Sequence, residues 1–370
     1  MTIADGSGNT LAQTEAFIEI VDIKQMYERW TVGDNSQVLP VSVATLAPDY
    51  PTNSMTAPFQ YSQAQNTNTP YILHVHGYNM PTWCKDRFAE TEYKRLYWQG
   101  YQGRYGSFRW PTTVQNFSFS TIFSDAQAFD LSEANAWASS KGLLNLLMNL
   151  DKVYGLGNVY LTAHSHGNVV AGEALRQATQ QGLGQVVNTY VAMQAAIDSH
   201  TYDATTSIRP LLPSYSTPDR YGQYYTNGAP CYFNGVSGAG TYVNFFNIND
   251  WALVNTWELD QNEKPDNGYS YSSDLDTWWA YGVFSSTIFT FPTNTYTIFS
   301  YIDQGHGFAF GMQPNVGGPF LKGSTHNQVE LDLPPYSFGT AHIYHSGEFR
   351  SDNPQRWQFW NSVLTQMKLK

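Results

Sequence analysis

The run Ala163-His164-Ser165-His166-Gly167 places a serine between two small residues, each two positions away. Val159-Tyr160-Leu161-Thr162 precedes it and Asn168-Val169-Val170 follows. The pattern is that of a short buried strand, a tight turn and the start of a helix, with the serine at the apex of the turn. Positions two before and two after the apex must be small, because larger side chains there would strike the neighbouring helix and strand. Gly167 meets this in full, and Ala163 with one methyl group. A serine hydroxyl is a weak nucleophile at neutral pH. It needs a base to take its proton, and the base needs a third group to hold its tautomer and balance its charge.

On a strand–turn–helix of this kind the three parts arrive in the order serine, acid, histidine. Asp250 follows the strand-like run Tyr242–Ile248, and His345 follows the run Gly339–Tyr344. With Ser165, each stands where a strand is expected to end, the edge at which open α/β sheets bind ligands. For the base, the alternative is His342 on the same run; alternation puts it on the opposite face from His345, and the base belongs beyond the sheet. For the acid, Asp198 and Asp203 after the strand expected over 188–195 stand as alternatives to Asp250. Asp125 and Asp130 precede the serine and break the order. An oxyanion formed on attack needs two backbone N–H donors. His166, just after the serine, supplies one. Tyr78, in His76-Gly77-Tyr78, supplies the other, with Gly77 allowing close approach.

The pairs His74/His76 and His164/His166 have spacing that can bring two imidazoles to one side of a strand. A zinc site needs at least three convergent ligands, and no acidic or cysteine ligand is spaced beside either pair, so the expectation is no metal. His306 and His326 fall in an aromatic-rich stretch and are expected to line loops.

The chain resembles α/β-hydrolases of the esterase and lipase kind. Ala163–Gly167 resembles the alanine-bearing pentapeptide of some bacterial lipases. Asn249-Asp250-Trp251-Ala252-Leu253 and His345-Ser346-Gly347-Glu348-Phe349 resemble the acid and histidine segments of an uncharacterised bacterial branch, some of whose members are parts of large secreted proteins. The resemblance runs from about Tyr71 to the C-terminus. It implies Ser165 as nucleophile, Asp250 as acid, His345 as base, no cofactor, and cleavage of a small-molecule or lipid-like carboxylic ester. A lipase or polyester hydrolase working on insoluble substrate is one alternative. A catalytically silent hydrolase fold serving as a binding module of a larger secreted protein is another.

These residues need a scaffold, and the alternation of strand-like and helix-like segments points to a mostly parallel α/β sheet flanked by helices; the resemblance implies that this sheet is an α/β-hydrolase fold, with the aromatic-rich stretches as cap or lid insertions. Expected strands include 17–23, 41–47, 71–76, 107–111, 158–162, 188–195, 242–248 and 339–344. Expected helices include 86–102, 132–150 with Ser132 as N-cap, 168–181 and 354–369. Residues 1–60 read as a strand-containing extension, and 61–370 as the hydrolase domain with insertions at about 198–240 and 267–335. The net charge is −11, with only 19 Lys and Arg against 30 Asp and Glu, which argues against nucleic acid or an anionic membrane surface as partner. No apolar run is long enough to span a bilayer. The first residues carry neither a basic nor an apolar leader region. A charged fraction of only 13%, with many Tyr, Asn and Thr, reads as an extracytoplasmic surface. The oligomeric state is left open. Cys84 and Cys231 permit one disulfide but form no framework, so two free thiols are the plainer reading.

Overall fold

The central strands of one sheet are buried along their whole length, on both faces, a pattern stable only when helices cover both sides. The computed structural model describes residues 2–13, 22–35, 40–47, 69–112, 122–197, 238–247, 250, 325–330, 345–350 and 356–370. In chain order the elements are β1 (Thr2–Ala4), β2 (Thr10–Gln13), β3 (Glu28–Thr31), β4 (Thr45–Leu46), β5 (Tyr71–Val75), α1 (Thr82–Trp98), β6 (Arg104–Arg109), α2 (Ile122–Tyr154), β7 (Val159–His164), α3 (Gly167–Gln180), β8 (Val187–Met193), β9 (Ala239–Phe246), β10 (Thr325–Glu330) and α4 (Arg356–Gln366). Among the described residues β1 and β2 pair only with each other. The rest form an eight-stranded sheet in the order β10-β9-β8-β7-β5-β6-β3-β4. Every pair is parallel except β3–β4 at the edge. This is the mostly parallel, helix-flanked sheet of the α/β-hydrolase fold.

Alternation along the central strands decides which residues face which layer. Tyr71, Leu73 and Val75 of β5, with Val159, Leu161 and Ala163 of β7, pack against Leu143, Leu147, Val170 and Leu175 of α2 and α3. Ile72 and Tyr160 point the other way, towards Leu96 of α1 and Trp360, Val363 and Leu364 of α4. The side chains at 74, 162 and 164 share that second face by register. After β5 the chain lays β6 on one side, then crosses to lay β7 on the other. Neighbouring connections therefore diverge at the C-terminal ends of β5 and β7, the switch point at which open α/β sheets form their ligand crevice.

Several elements depart from the expectations. β3 was not foreseen: Glu28-Arg29-Trp30-Thr31 has no clean period because Arg29 is buried among charges, 3.6 Å from Asp86. Of the strand expected over 17–23, most lies outside the described residues, and Ile23–Gln25 forms a single 3-10 turn. The strand expected over 41–47 is reduced to Thr45–Leu46. α2 begins ten residues before Ser132, which sits buried inside the helix rather than capping it. The helix runs unbroken from Ile122 to Tyr154, so a residue that suits a cap is carried inside it. β10 lies within the stretch read as an insertion over 267–335, and His326 stands on this strand rather than on a loop. Thr325-His326-Asn327-Gln328-Val329-Glu330 has one apolar residue, so it carries no strand-like hydrophobic pattern; it is held at the edge by pairing with β9. Cys84 carries a free thiol. The aromatic segments expected to form a lid, the run 339–344, and Cys231 lie outside the described residues. Among the described residues no helix is long and apolar enough to cross a membrane.

Candidate active site

β7 ends at His164 and α3 begins at Gly167, which leaves Ser165 and His166 to make the turn. Ser165 has φ +52°, a left-handed conformation that costs a non-glycine residue about 1–3 kcal/mol. The surroundings over-determine it. Its N–H donates to the Met193 oxygen (3.0 Å), and its own oxygen accepts from the Asn168 N–H (3.0 Å) and the Asn168 amide Nδ2 (2.8 Å). The Asn168 side chain is pinned in turn by the Tyr190 hydroxyl at 2.5 Å. A Cβ at Gly167 would stand 2.6 Å from the backbone oxygens of both Val75 and His76, so the turn needs its glycine because the end of β5 runs directly against it. A Cβ at Gly77 would stand 2.9 Å from the Ser165 Cβ, which shows how closely the loop after β5 passes the serine.

The Ser165 hydroxyl donates to His345 Nε2 at 2.7 Å, and His345 Nδ1–H donates to Asp250 Oδ2 at 2.8 Å. Asp250 is fully buried and Ser165 is 7% exposed, so the chain of three runs from the protein interior to the crevice. With Nδ1 committed to the carboxylate, the imidazole presents its Nε2 lone pair to the hydroxyl, the tautomer a general base requires. Asp250 is held after β9 by its N–H donating to the Asn247 oxygen at 3.0 Å. His345 is held by the short turn Gly347–Phe349 that follows it. Phe349 there stacks on Phe88 of α1 at 4.4 Å and meets Trp360 of α4 edge-on at 5.5 Å. His342, Asp198 and Asp203 lie outside the described residues.

The loop carrying Tyr78 meets the turn carrying His166: their rings stand edge-to-face at 5.9 Å and 88°. Three bonds fasten this loop from outside. Trp110 Nε1–H donates to the His76 oxygen (2.8 Å), the Asn79 N–H to Thr112 Oγ1 (2.9 Å), and Asn35 Nδ2–H to the Met80 oxygen (3.0 Å). The buried Lys85 ammonium donates to Asn35 Oδ1 (2.5 Å) and to the Trp110 oxygen (2.7 Å). Asn35 and Lys85 were invisible in the sequence, since one sits in a polar loop and the other stands just before the helix expected over 86–102, which in the structure starts at Thr82.

The histidine pairs are occupied separately. His74 Nδ1 lies 2.6 Å from Glu92 Oε2 and 3.1 Å from Thr162 Oγ1. His76 stacks flat on Trp110 at 5.2 Å; its Nδ1–H donates to the Gly77 oxygen and its Nε2 accepts from the Trp110 N–H, so it is neutral. Among the described residues no group of three His, Cys, Asp or Glu could hold a metal ion.

Burial sets the charge states here. It drives His76 and His164 well below the ordinary histidine value of 6.5, and His166 down to about 3, with His345 adding to the effect on His164 and His166. It pushes Glu348 up to about 8. It brings Lys85 down to about 7, with Arg109 acting the same way against Asp34 and Asp86. Each histidine is lower in the folded state than in the unfolded one, so its contribution to stability is present above pH 6.5 and lost as pH falls. Glu348 has the opposite sign: its contribution is present below its ordinary value of 4.5 and lost as pH rises towards 8. Lys85 adds stability as pH rises above about 7 and so offsets Glu348 there. The expected outcome is a plateau of stability from pH 6.5 to 8 and a steep fall on the acid side. Three histidines outweigh one carboxyl there, each proton counting for about 1.4 kcal/mol per pH unit. Urea midpoints at pH 5.0 and 7.5 check this; equal midpoints would contradict neutral, buried histidines.

No family model matches the chain, and no curated protein matches it in sequence. Solved structures do match it. A hormone-sensitive lipase from a metagenome library is 11% identical, covering 81% of this chain and 78% of that one, with a TM-score of 0.33. EstE1, a thermophilic carboxylesterase from a metagenomic library, is 10% identical over 82% and 81%, with a TM-score of 0.34. A fungal esterase from Rhizomucor miehei is 10% identical over 83% and 76%, with a TM-score of 0.35. Likeness at these values carries no functional inference, so the chemistry rests on the geometry of the chain itself.

Proposed function

We propose that this chain is a serine hydrolase that cleaves carboxylic esters through an acyl-enzyme. The observation that carries the reading is the hydrogen-bonded run Ser165–His345–Asp250 at a strained turn, at the mouth of the crevice where the sheet order reverses. In the proposed cycle His345 Nε2 takes the Ser165 proton as Oγ attacks the ester carbonyl carbon. The carbonyl oxygen becomes an oxyanion, held by the backbone N–H groups of Tyr78 and His166. His345 then passes the proton to the leaving alcohol oxygen as the ester C–O bond breaks, which leaves Ser165 acylated. Water, deprotonated by the same nitrogen, attacks the acyl carbon and releases the acid, and the proton returns to Ser165. Asp250 stays ionised throughout and balances the imidazolium. The cycle uses only these groups and water.

Glycine at 77 suits this reading, since the N–H of the next residue can approach the serine only if no side chain intervenes. The test is labelling of the folded wild-type protein by a serine-reactive fluorophosphonate, with Ser165→Ala as control. Labelling confined to the wild type supports the reading. Absence of labelling, together with no turnover of p-nitrophenyl acetate, butyrate or octanoate, would sink it and leave the silent binding module.

A further inference from the structure

Beneath the Ser165–His345–Asp250 run lies a second set of buried polar groups that the proposed cycle does not use. His164, one residue before the serine, points to the α1/α4 side of the sheet. Its Nε2–H donates to the backbone oxygen of His345 at 2.6 Å, and its ring lies 4.9 Å from the His345 ring. A carbonyl can only accept, so the proton sits on Nε2. Nδ1, buried and without a hydrogen-bond partner among the described residues, is then an unprotonated acceptor. The end of the nucleophile strand thus grips the main chain of the residue read as the base.

Glu348, three residues after His345, is fully buried beside this bond. Its Oε1 lies 3.8 Å from His164 Nε2, and its Oε2 accepts from Gln194 Nε2–H at 3.3 Å. Gln194 follows β8 with φ +38°. The groups around the Glu348 carboxyl come from every neighbouring element: His164 ends β7, Gln194 follows β8, Asp250 follows β9, and Glu92 on α1 holds His74 of β5. From α4, Trp360 Nε1–H donates to the Glu348 backbone oxygen at 3.1 Å. Burial, then Asp250 and Glu92, favour the uncharged acid, against its own backbone N–H and Gln194.

We infer that His164 and Glu348 form a buried latch that positions the base. The His164 Nε2–H holds the His345 backbone in register with Ser165, and an uncharged Glu348 leaves that proton to the His345 oxygen alone. The inference rests on the reading of His345 as the base. His164 is a positioning residue; it touches neither substrate nor a reacting atom. Ionisation of Glu348 gives the same N–H a charged competitor and sets a second carboxylate near Asp250. The latch loosens, and turnover falls as pH rises past the point where Glu348 gives up its proton.

The experiment measures kcat and KM for p-nitrophenyl butyrate from pH 6 to 10, with thermal midpoints alongside, for wild type, His164→Gln, His164→Leu and Glu348→Gln. The glutamine amide nitrogen reaches the position of Nε2 and can donate to the same oxygen. His164→Leu is expected to lower kcat about 100-fold, the scale of a small misplacement of a catalytic group, with KM within 2-fold. His164→Gln is expected to stay within about 10-fold of wild type, because it keeps the donor. Glu348→Gln is expected to raise the ratio of kcat at pH 9.5 to kcat at pH 7. Equal losses in the two His164 variants, an unaltered kcat in His164→Leu, or an unaltered alkaline limb in Glu348→Gln would each overturn the latch. If His164→Leu does not fold, His164→Asn takes its place, since its amide nitrogen stops short of the Nε2 position. An unlabelled, inactive wild type fails the hydrolase reading itself, whereas an active wild type with indistinguishable variants fails only the latch.

Discussion

Ser165→Ala is expected to lower kcat for an activated ester by about 10⁶-fold while KM shifts only a few-fold. The hydroxyl oxygen is the atom that would bond to the acyl carbon, and no other described hydroxyl lies on His345 Nε2. What survives is the catalysis that backbone donors and substrate binding give without a nucleophile. The fold should hardly notice. Alanine keeps the φ +52° turn at the same cost as serine, and one hydrogen bond at a crevice mouth is lost, about 1 kcal/mol. A drop of many orders in kcat beside a nearly unchanged thermal midpoint separates loss of chemistry from loss of structure. Retention of even 1% of wild-type kcat would remove Ser165 from the role of nucleophile.

His345→Ala is expected to cost nearly as much, again about 10⁶-fold, and the double variant Ser165→Ala/His345→Ala no more than either alone. The reason is that the two act as one unit: a hydroxyl without its base is hardly better than no hydroxyl. Additive losses would mean that the two residues work in different steps. His345→Ala should also slow fluorophosphonate labelling by a similar factor, since the reagent needs the same deprotonated oxygen. If labelling and turnover persist in His345→Ala but vanish in Ser165→Ala, the base lies elsewhere, with His342 the first candidate. His164 and His166, which flank the serine, are poor substitutes. Both are buried and held neutral, and the His164 Nε2 proton is already given to the His345 backbone.

The local features were legible because each is a short-range requirement. The buried strand, the tight turn and the helix around Ser165 follow from an apolar run, a small residue and a glycine within twelve positions. β5 and β7 were plain because a strand buried on both faces reads as a continuous apolar run. Elements stabilised by other means were hidden. β3 depends on a buried cluster in which Arg29 and Arg109 meet Asp86, and β10 depends on an edge pairing with β9. Ser132 misled because a residue that favours helix starts in isolation is also tolerated inside a helix, here one that runs from Ile122 to Tyr154.

By itself the sequence determined the alternating α/β layout, the apex serine, and the order in which an acid and a histidine follow it, because period, turn chemistry and order are properties of neighbouring residues. Only the tertiary structure decided which side chains meet. The crossover that lays β7 beside β5 brings Gly77 against Ser165, and folding brings residues 85 and 180 positions further along the chain to that serine, one through the other. It also decided that His164, the residue next to the serine, faces the α1/α4 side of the sheet and bonds to the backbone oxygen of His345. Adjacent residues on a strand point to opposite faces, so nearness in the chain and nearness in the site are set by different geometry.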